Sequence, residues 1–162
     1  MPRHLKLASA CLMAGALFAA TAGERPMTSL VLHTAAGSFT VQMKPLADSP
    51  AEGVTLGRLS LDKTFDGDLV GTGHGEMLTA MTPVQGSAGY VAIERVTGSL
   101  HGRSGSFVFQ HTGMMDQGAQ QLSITVVPGS GTGALVGLAG QFKLRIEQGQ
   151  HFYSFDYTLP LP

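Results

Sequence analysis

The sequence predicts an all-β domain closed into an eight-stranded antiparallel barrel, and three observations lead there. Gly makes up 22 of 162 residues without a three-residue period, a density suited to many tight turns and bulges. Apolar and polar residues alternate in short runs separated by Gly- and Pro-containing turns, the pattern of half-buried strands. No segment carries a long amphipathic helical pattern. Hydrophobic residues reach 43% and charged residues only 13%, about half the usual charged share. That is enough apolar mass for one core, and it lacks the charge excess that keeps a chain disordered.

The first residues stand apart from this pattern. Arg3, His4 and Lys6 form a basic start, Leu7 to Ala22 is uncharged, and Ala20-Thr21-Ala22 is a small-x-small cleavage site. Residues 1–22 therefore read as a secretory signal peptide, too short for a transmembrane span. A lipoprotein reading through Cys11 is weaker, because Ala8 stands where Leu is preferred. Cleavage after Ala22 leaves 140 residues with eight Lys plus Arg against eleven Asp plus Glu, a net charge of −3, and no cysteine. A disulfide, a thiolate nucleophile or a Cys-based zinc site is then excluded. A mildly acidic chain also lacks the basic footprint of a nucleic-acid binder. The expected location is periplasmic or secreted, with no membrane contact after cleavage.

Residues 23–36 read as a linker or an irregular N-terminal segment, and residues 37–162 as the single barrel domain. Gly37 to Lys44 alternates with Phe39, Val41 and Met43 on one face, and Pro45 to Gly53 reads as a loop. Leu56 to Phe65 places Leu59, Leu61, Lys63 and Phe65 on one face. Asp66-Gly67-Asp68 is a hairpin turn, and Leu69 to Met81 returns, its glycines at 71, 73 and 75 suggesting coiling or a bulge. A loop over Thr82 to Ser87 leads to a strand over Ala88 to Thr97, a turn over Gly98 to Arg103 and a strand over Ser104 to His111. Thr112 to Gly118 reads as a loop and Leu122 to Val127 as a strand. Pro128 to Gly140 reads as a Gly-rich connection with one helical turn over Ala134 to Leu138. Gln141 to Gln148 and Gln150 to Leu159 form a last hairpin around Gly149. Sequential hairpins in even number favour an up-and-down barrel, since closure removes both exposed edges. A two-sheet sandwich is the main alternative.

Five segments carry a resemblance to a known bacterial family: Lys63 to Leu69 (KTFDGDL), Gly75 to Leu78 (GEML), Gly86 to Val96 (GSAGYVAIERV), Arg103 to His111 (RSGSFVFQH) and Val127 to Gly133 (VPGSGTG). Together they resemble the family catalogued as domain of unknown function 3224, across residues 37 to 159. The segment Gly131-Thr132-Gly133 with Gly137, Gly140 and the strand after it is also similar to the allene oxide cyclase and dirigent barrels. That wider resemblance implies an eight-stranded, lipocalin-like barrel with a cavity. It supplies no catalytic residue, because the cyclase positions have no counterparts here.

The chemistry-bearing residues are few. Lys63 sits on the apolar face with Leu61 and Phe65, and Glu76, Glu94 and His111 lie on neighbouring strands of the same meander. Inward-facing charges are expensive unless paired, so Lys63, Glu76 and Glu94 are expected to form an internal ion-pair network with His111 and Tyr90 nearby. A carboxylate there would orient a ligand or act as a general base. The bland alternative is a structural salt bridge or a misjudged register, and a bulge at Gly71 to Gly75 would flip Glu76 to the other face. Gly129-Ser130-Gly131-Thr132-Gly133 lacks the Gly-Lys-Ser/Thr ending and the following helix of a phosphate loop. His33, His74, His101 and His151 are scattered without ligand-like spacing. Gly-x-Ser-x-Gly is absent. No metal and no cofactor are therefore expected. Phe39, Phe65, Phe107, Phe109, Phe152 and Phe155 with Met43, Met77 and Met81 are expected to give a soft apolar interior.

Three functions remain open on this reading: a binding module for a small apolar or amphipathic molecule, a cyclase-like isomerase acting on a lipid-derived substrate by analogy of fold, and a structural or interaction barrel. A homo-oligomer stays among the partners considered, and the catalytic residues are unassigned.

Overall fold

The computed structural model describes residues 31–160. The signal-peptide segment, residues 1–22, and residues 23–30 of the expected linker lie outside the described residues. The strands are β1 (Leu32–Ala51), β2 (Val54–Gly67), β3 (Leu69–Met81), β4 (Ala88–Leu100), β5 (Arg103–Asp116), β6 (Ala119–Val126), β7 (Ala139–Glu147) and β8 (Gln150–Thr158). Each pairs antiparallel with the next, and β8 returns to β1 from Leu32↔Thr158 to Phe39↔His151, which closes the barrel. The only helical element among the described residues is a 3₁₀ turn at Gly133–Leu135, shorter than the expected turn over 134–138. No described helix is long and apolar enough to cross a membrane.

Several boundaries differ from expectation, each for a local reason. Strand β1 begins at Leu32, inside the segment read as linker, because Ala35 is enclosed by the barrel and the stretch pairs with β8. It also runs on through Ala51, where a loop was expected. Residues beyond Phe39 pair with β2 alone, so Pro45 and Pro50 stand on an edge strand, where a missing N–H breaks no ladder. A register irregularity between Pro45 and Ala47, with Lys44 and Asp48 alongside, further blunts that edge. The expected loops at 98–103 and 112–118 shrink to the two-residue turns His101–Gly102 and Gln117–Gly118. Both residues of each turn have positive φ, 45° and 78° in the first and 47° and 93° in the second, as in type I′ hairpins.

The two ends of the barrel differ. At one end the segment after β6 folds underneath: Thr132 N–H donates to Ser106 O at 2.8 Å, and Leu135 and Leu138 are buried below the strands with Leu69, Leu100 and Leu159. Above this seal the interior is an aromatic cluster, with Phe109 tilted against Phe142 at 5.1 Å and edge-to-face with Phe155 at 5.4 Å. At the other end β7 meets β6 through two pairs only, Ile124↔Phe142 and Thr125↔Gln141. Beyond those pairs β6 and β7 run without pairing to each other, and β1 continues past Phe39 without β8 beside it, which leaves the barrel open. Phe152, expected inside, faces out of the sheet under the Arg145 guanidinium at 4.9 Å. Its neighbours Tyr153 and His151 take the inward positions, as period-two alternation demands.

Candidate functional site

The interior changes character halfway along the barrel. Lys63 continues the inward row of β2 between Leu61 and Phe65, and its side chain is 7% exposed. Glu94 points inward from β4 and is fully enclosed. The Lys63 ammonium donates to Glu94 Oε2 at 2.7 Å and rests 4.9 Å from the Phe39 ring. His111, inward on β5, brings Nε2 to 3.0 Å from the same oxygen. That approach lacks hydrogen-bond alignment, so His111 Nε2 and Glu94 Oε1 are buried without a hydrogen-bond partner.

Lys63 and Glu94 are on strands separated by β3, and β3 makes their meeting feasible. Its residue between them is Gly73, which pairs with Lys63 on one side and Val96 on the other. A Cβ at Gly73 would collide with the Glu94 carboxylate. Gly73, one of the glycines that suggested a bulge, is instead a bare floor across which an acid and a base touch. Register from Thr55↔Met81 to Phe65↔Gly71 runs without interruption.

Burial pushes the Glu94 carboxyl upward, but the contact from His111 and the charge and hydrogen bond of Lys63 outweigh it. The carboxyl is held below its ordinary range, so Glu94 is ionised at neutral pH.

A cavity of about 270 Å³ opens above this cluster. Lys63, His111 and His151 provide its charged or polar groups, and Leu61, Met77 and Ile124 are among its apolar walls. Tyr90 closes one side. Its ring lies flat over Gly113, where a Cβ would strike it, and burial raises the phenol above its usual range. Glu94 does not reach the cavity; it stands behind Lys63 and His111, and is the counter-charge of the Lys63 ammonium. Other grooves, such as one of about 470 Å³ bordered by Ser38, Thr64, Asp66 and Gln150, hold no comparable convergence of charges.

Four of the five sequence-selected residues, Lys63, Tyr90, Glu94 and His111, are thus brought to one region. Glu76 is not. Its side chain is 58% exposed and meets Arg58 Nε at 3.3 Å on the outer surface. The reason is parity: Glu76 is three residues from Gly73, the partner of Lys63, and an odd offset without a bulge puts it on the opposite face. His151, set aside among scattered histidines, is a cavity residue, and its place in the inward series with Tyr153 and Phe155 was the signal for it.

A second polar group lies at the sealed end, where His101 Nδ1 is 2.7 Å from Tyr157 Oη and Nε2 is 3.6 Å from Asp68 Oδ2. It ties the β2–β3 and β4–β5 turns to β8. Among the described residues no three His, Cys, Asp or Glu side chains converge as metal ligands would.

A family model described as "Protein of unknown function (DUF3224)" matches residues 35–157. The chain is also similar to a solved structure from Shewanella oneidensis MR-1, described as a protein with unknown function from the DUF3224 family. Identity is 49% and the TM-score 0.75, over 82% of this chain and 100% of that one. No curated protein matches the chain.

Proposed function

The chain belongs to the DUF3224 family of proteins of unknown function, and from that premise we propose that it is an exported barrel that binds a small apolar or amphipathic molecule. The observation that carries this reading is the 270 Å³ interior cavity, apolar in most of its wall, with Lys63 and His111 converging at its base. Ligand sites are commonly concave, apolar and furnished with a few convergent polar groups. Glu94, enclosed behind Lys63 and His111, holds the Lys63 ammonium in place as a counter-charge does in a pre-organised site. A cyclase-like isomerase would need Glu76, Glu94 or His111 to face the cavity as an acid or base. Glu76 faces outward and Glu94 is enclosed by its partners; of the three His111 alone reaches the cavity, with Nε2 3.0 Å from Glu94 Oε2, so binding is the reading preferred over acid–base turnover.

One observation supports an additional role in self-association. Leu56, Leu78, Val91 and Ile93 are each more than half exposed on the outer faces of adjacent strands β2, β3 and β4. An apolar patch of this kind marks interaction surfaces, and light scattering would show an oligomer if it does so here.

Expression with the native N-terminus in a Gram-negative host tests export and binding together. The expected product is a periplasmic protein beginning at Gly23 whose native mass exceeds the chain mass by a species removable with organic solvent. A cytoplasmic protein retaining residues 1–22 would refute export. A bare mass, together with no thermal shift from any alkyl compound, would refute binding.

A further inference from the structure

The interior cavity is small, about 270 Å³, against about 300–1,000 Å³ for common ligand pockets. It does not end blindly. A groove of about 380 Å³ lies at the open end, and the two share Met77, Tyr90 and Leu144. Beyond those three the groove is walled by Met81, Met115 and Leu122. From Gly73, the partner of Lys63, to Met81 is eight residues along β3, an extended distance of about 26 Å. A polar base followed by a long passage lined with flexible thioethers suits an unbranched chain better than a compact ring system.

Charge decides the head group. Lys63 and Glu94 cancel each other at 2.7 Å. The other titratable groups facing the cavity are His111, His151 and Tyr90. A carboxylate head would add a negative charge beside Phe39 and Leu61 with no second permanently charged cation to meet it, and an unpaired charge in such surroundings is costly. An ammonium has three N–H donors, and Glu94 takes one of them. A neutral oxygen accepts from the remaining donors without upsetting the charge balance. Resting on the reading that the cavity binds a small molecule, we infer that the site takes an unbranched alkyl chain with an uncharged carbonyl head. Lys63 hydrogen-bonds the carbonyl, and the tail leaves past Tyr90 and Met77 over Met81.

Calorimetric titration at pH 8.5, above the ordinary imidazole range, tests this with 2-undecanone, decanoate and decyltrimethylammonium. The ketone is expected to bind at least tenfold more tightly than either ion. Lengthening the ketone from 2-octanone to 2-undecanone should strengthen binding by about three- to fourfold per methylene. Lys63→Met alone strands the Glu94 charge and risks unfolding, so the companion is Lys63→Met/Glu94→Leu, which removes both charges. It should fold and bind 2-undecanone about tenfold more weakly. Decanoate binding as tightly as the ketone, or an undiminished ketone affinity in the double variant, overturns the carbonyl assignment while leaving a binding barrel intact. Failure of all three probes removes the binding reading itself, and the inference with it.

Discussion

The sealed and open ends of the barrel are built on the same strands and the same alternation, yet they end differently. At the sealed end the inward residues are Leu69, Leu100, Phe107, Phe155 and Tyr157, all at most 4% exposed, with Leu135 and Leu138 folded beneath them. At the open end the inward residues are Met43, Met81 and Leu122, each more than 40% exposed. The difference lies in what the strands meet. The segment after β6 plugs one end, whereas at the other β7 parts from β6 and β8 stops short along β1. Alternation alone says which residues face inward; whether inward means buried depends on the connections. The buried ion pair sits at the border, where a dry core gives way to a cavity.

The largest expected effects fall on the sealed side and at the border. Phe155→Ala, at a fully buried position, should lower unfolding free energy by about 3–5 kcal/mol, measured by denaturant titration. Glu94→Leu should cost a similar amount, about 3–5 kcal/mol, because it leaves Lys63 buried without its counter-charge. The double change Lys63→Met/Glu94→Leu should instead be neutral or stabilising, by up to about 4 kcal/mol. A double variant as unstable as the single one would mean that the pair contributes net stability and is not merely tolerated.

Acid provides a gentler probe of the same border. The Glu94 carboxyl is held low in the folded protein, so its stabilising contribution is complete above the unfolded carboxylate range near about pH 4.3. It is lost as pH falls through the lower folded value. Between pH 6 and pH 3 the wild type should therefore lose more stability than the Lys63→Met/Glu94→Leu variant. Equal losses would mean that other carboxylates carry the acid sensitivity, such as Asp156, which Lys143 and Thr34 hold low. The smallest effect belongs to the open end. Met81→Ala should change stability by less than about 0.5 kcal/mol while weakening long-chain alkyl ligands, which separates binding wall from core.

Much of this architecture is legible in the sequence. The hairpin series, the closure and the inward face of β2 follow from alternation and turn residues. The region around Lys63, Tyr90, Glu94 and His111 follows from asking which charges share a face with Leu and Phe. Two things were hidden. Pro45 and Pro50 read as loop because proline breaks a ladder, and only the short β8 makes this stretch an edge where proline is harmless. Glu76 read as interior because β3 offers glycines in place of the apolar residues that would mark its inward row. Counting by twos from Gly73 places Glu76 outside. The same glycines disclose nothing of their use until Glu94 is seen lying over one of them.

The central claim is that the cavity beside Lys63 and His111 receives an alkyl ligand through the open end. Methyl-labelled methionine spectra recorded while 2-undecanone is added test it most directly. Shifts are expected for Met43 and Met77 in the cavity and for Met81 and Met115 in the groove. Shifts confined to the groove with Met43 and Met77 unmoved, or none at saturating ligand, would contradict it.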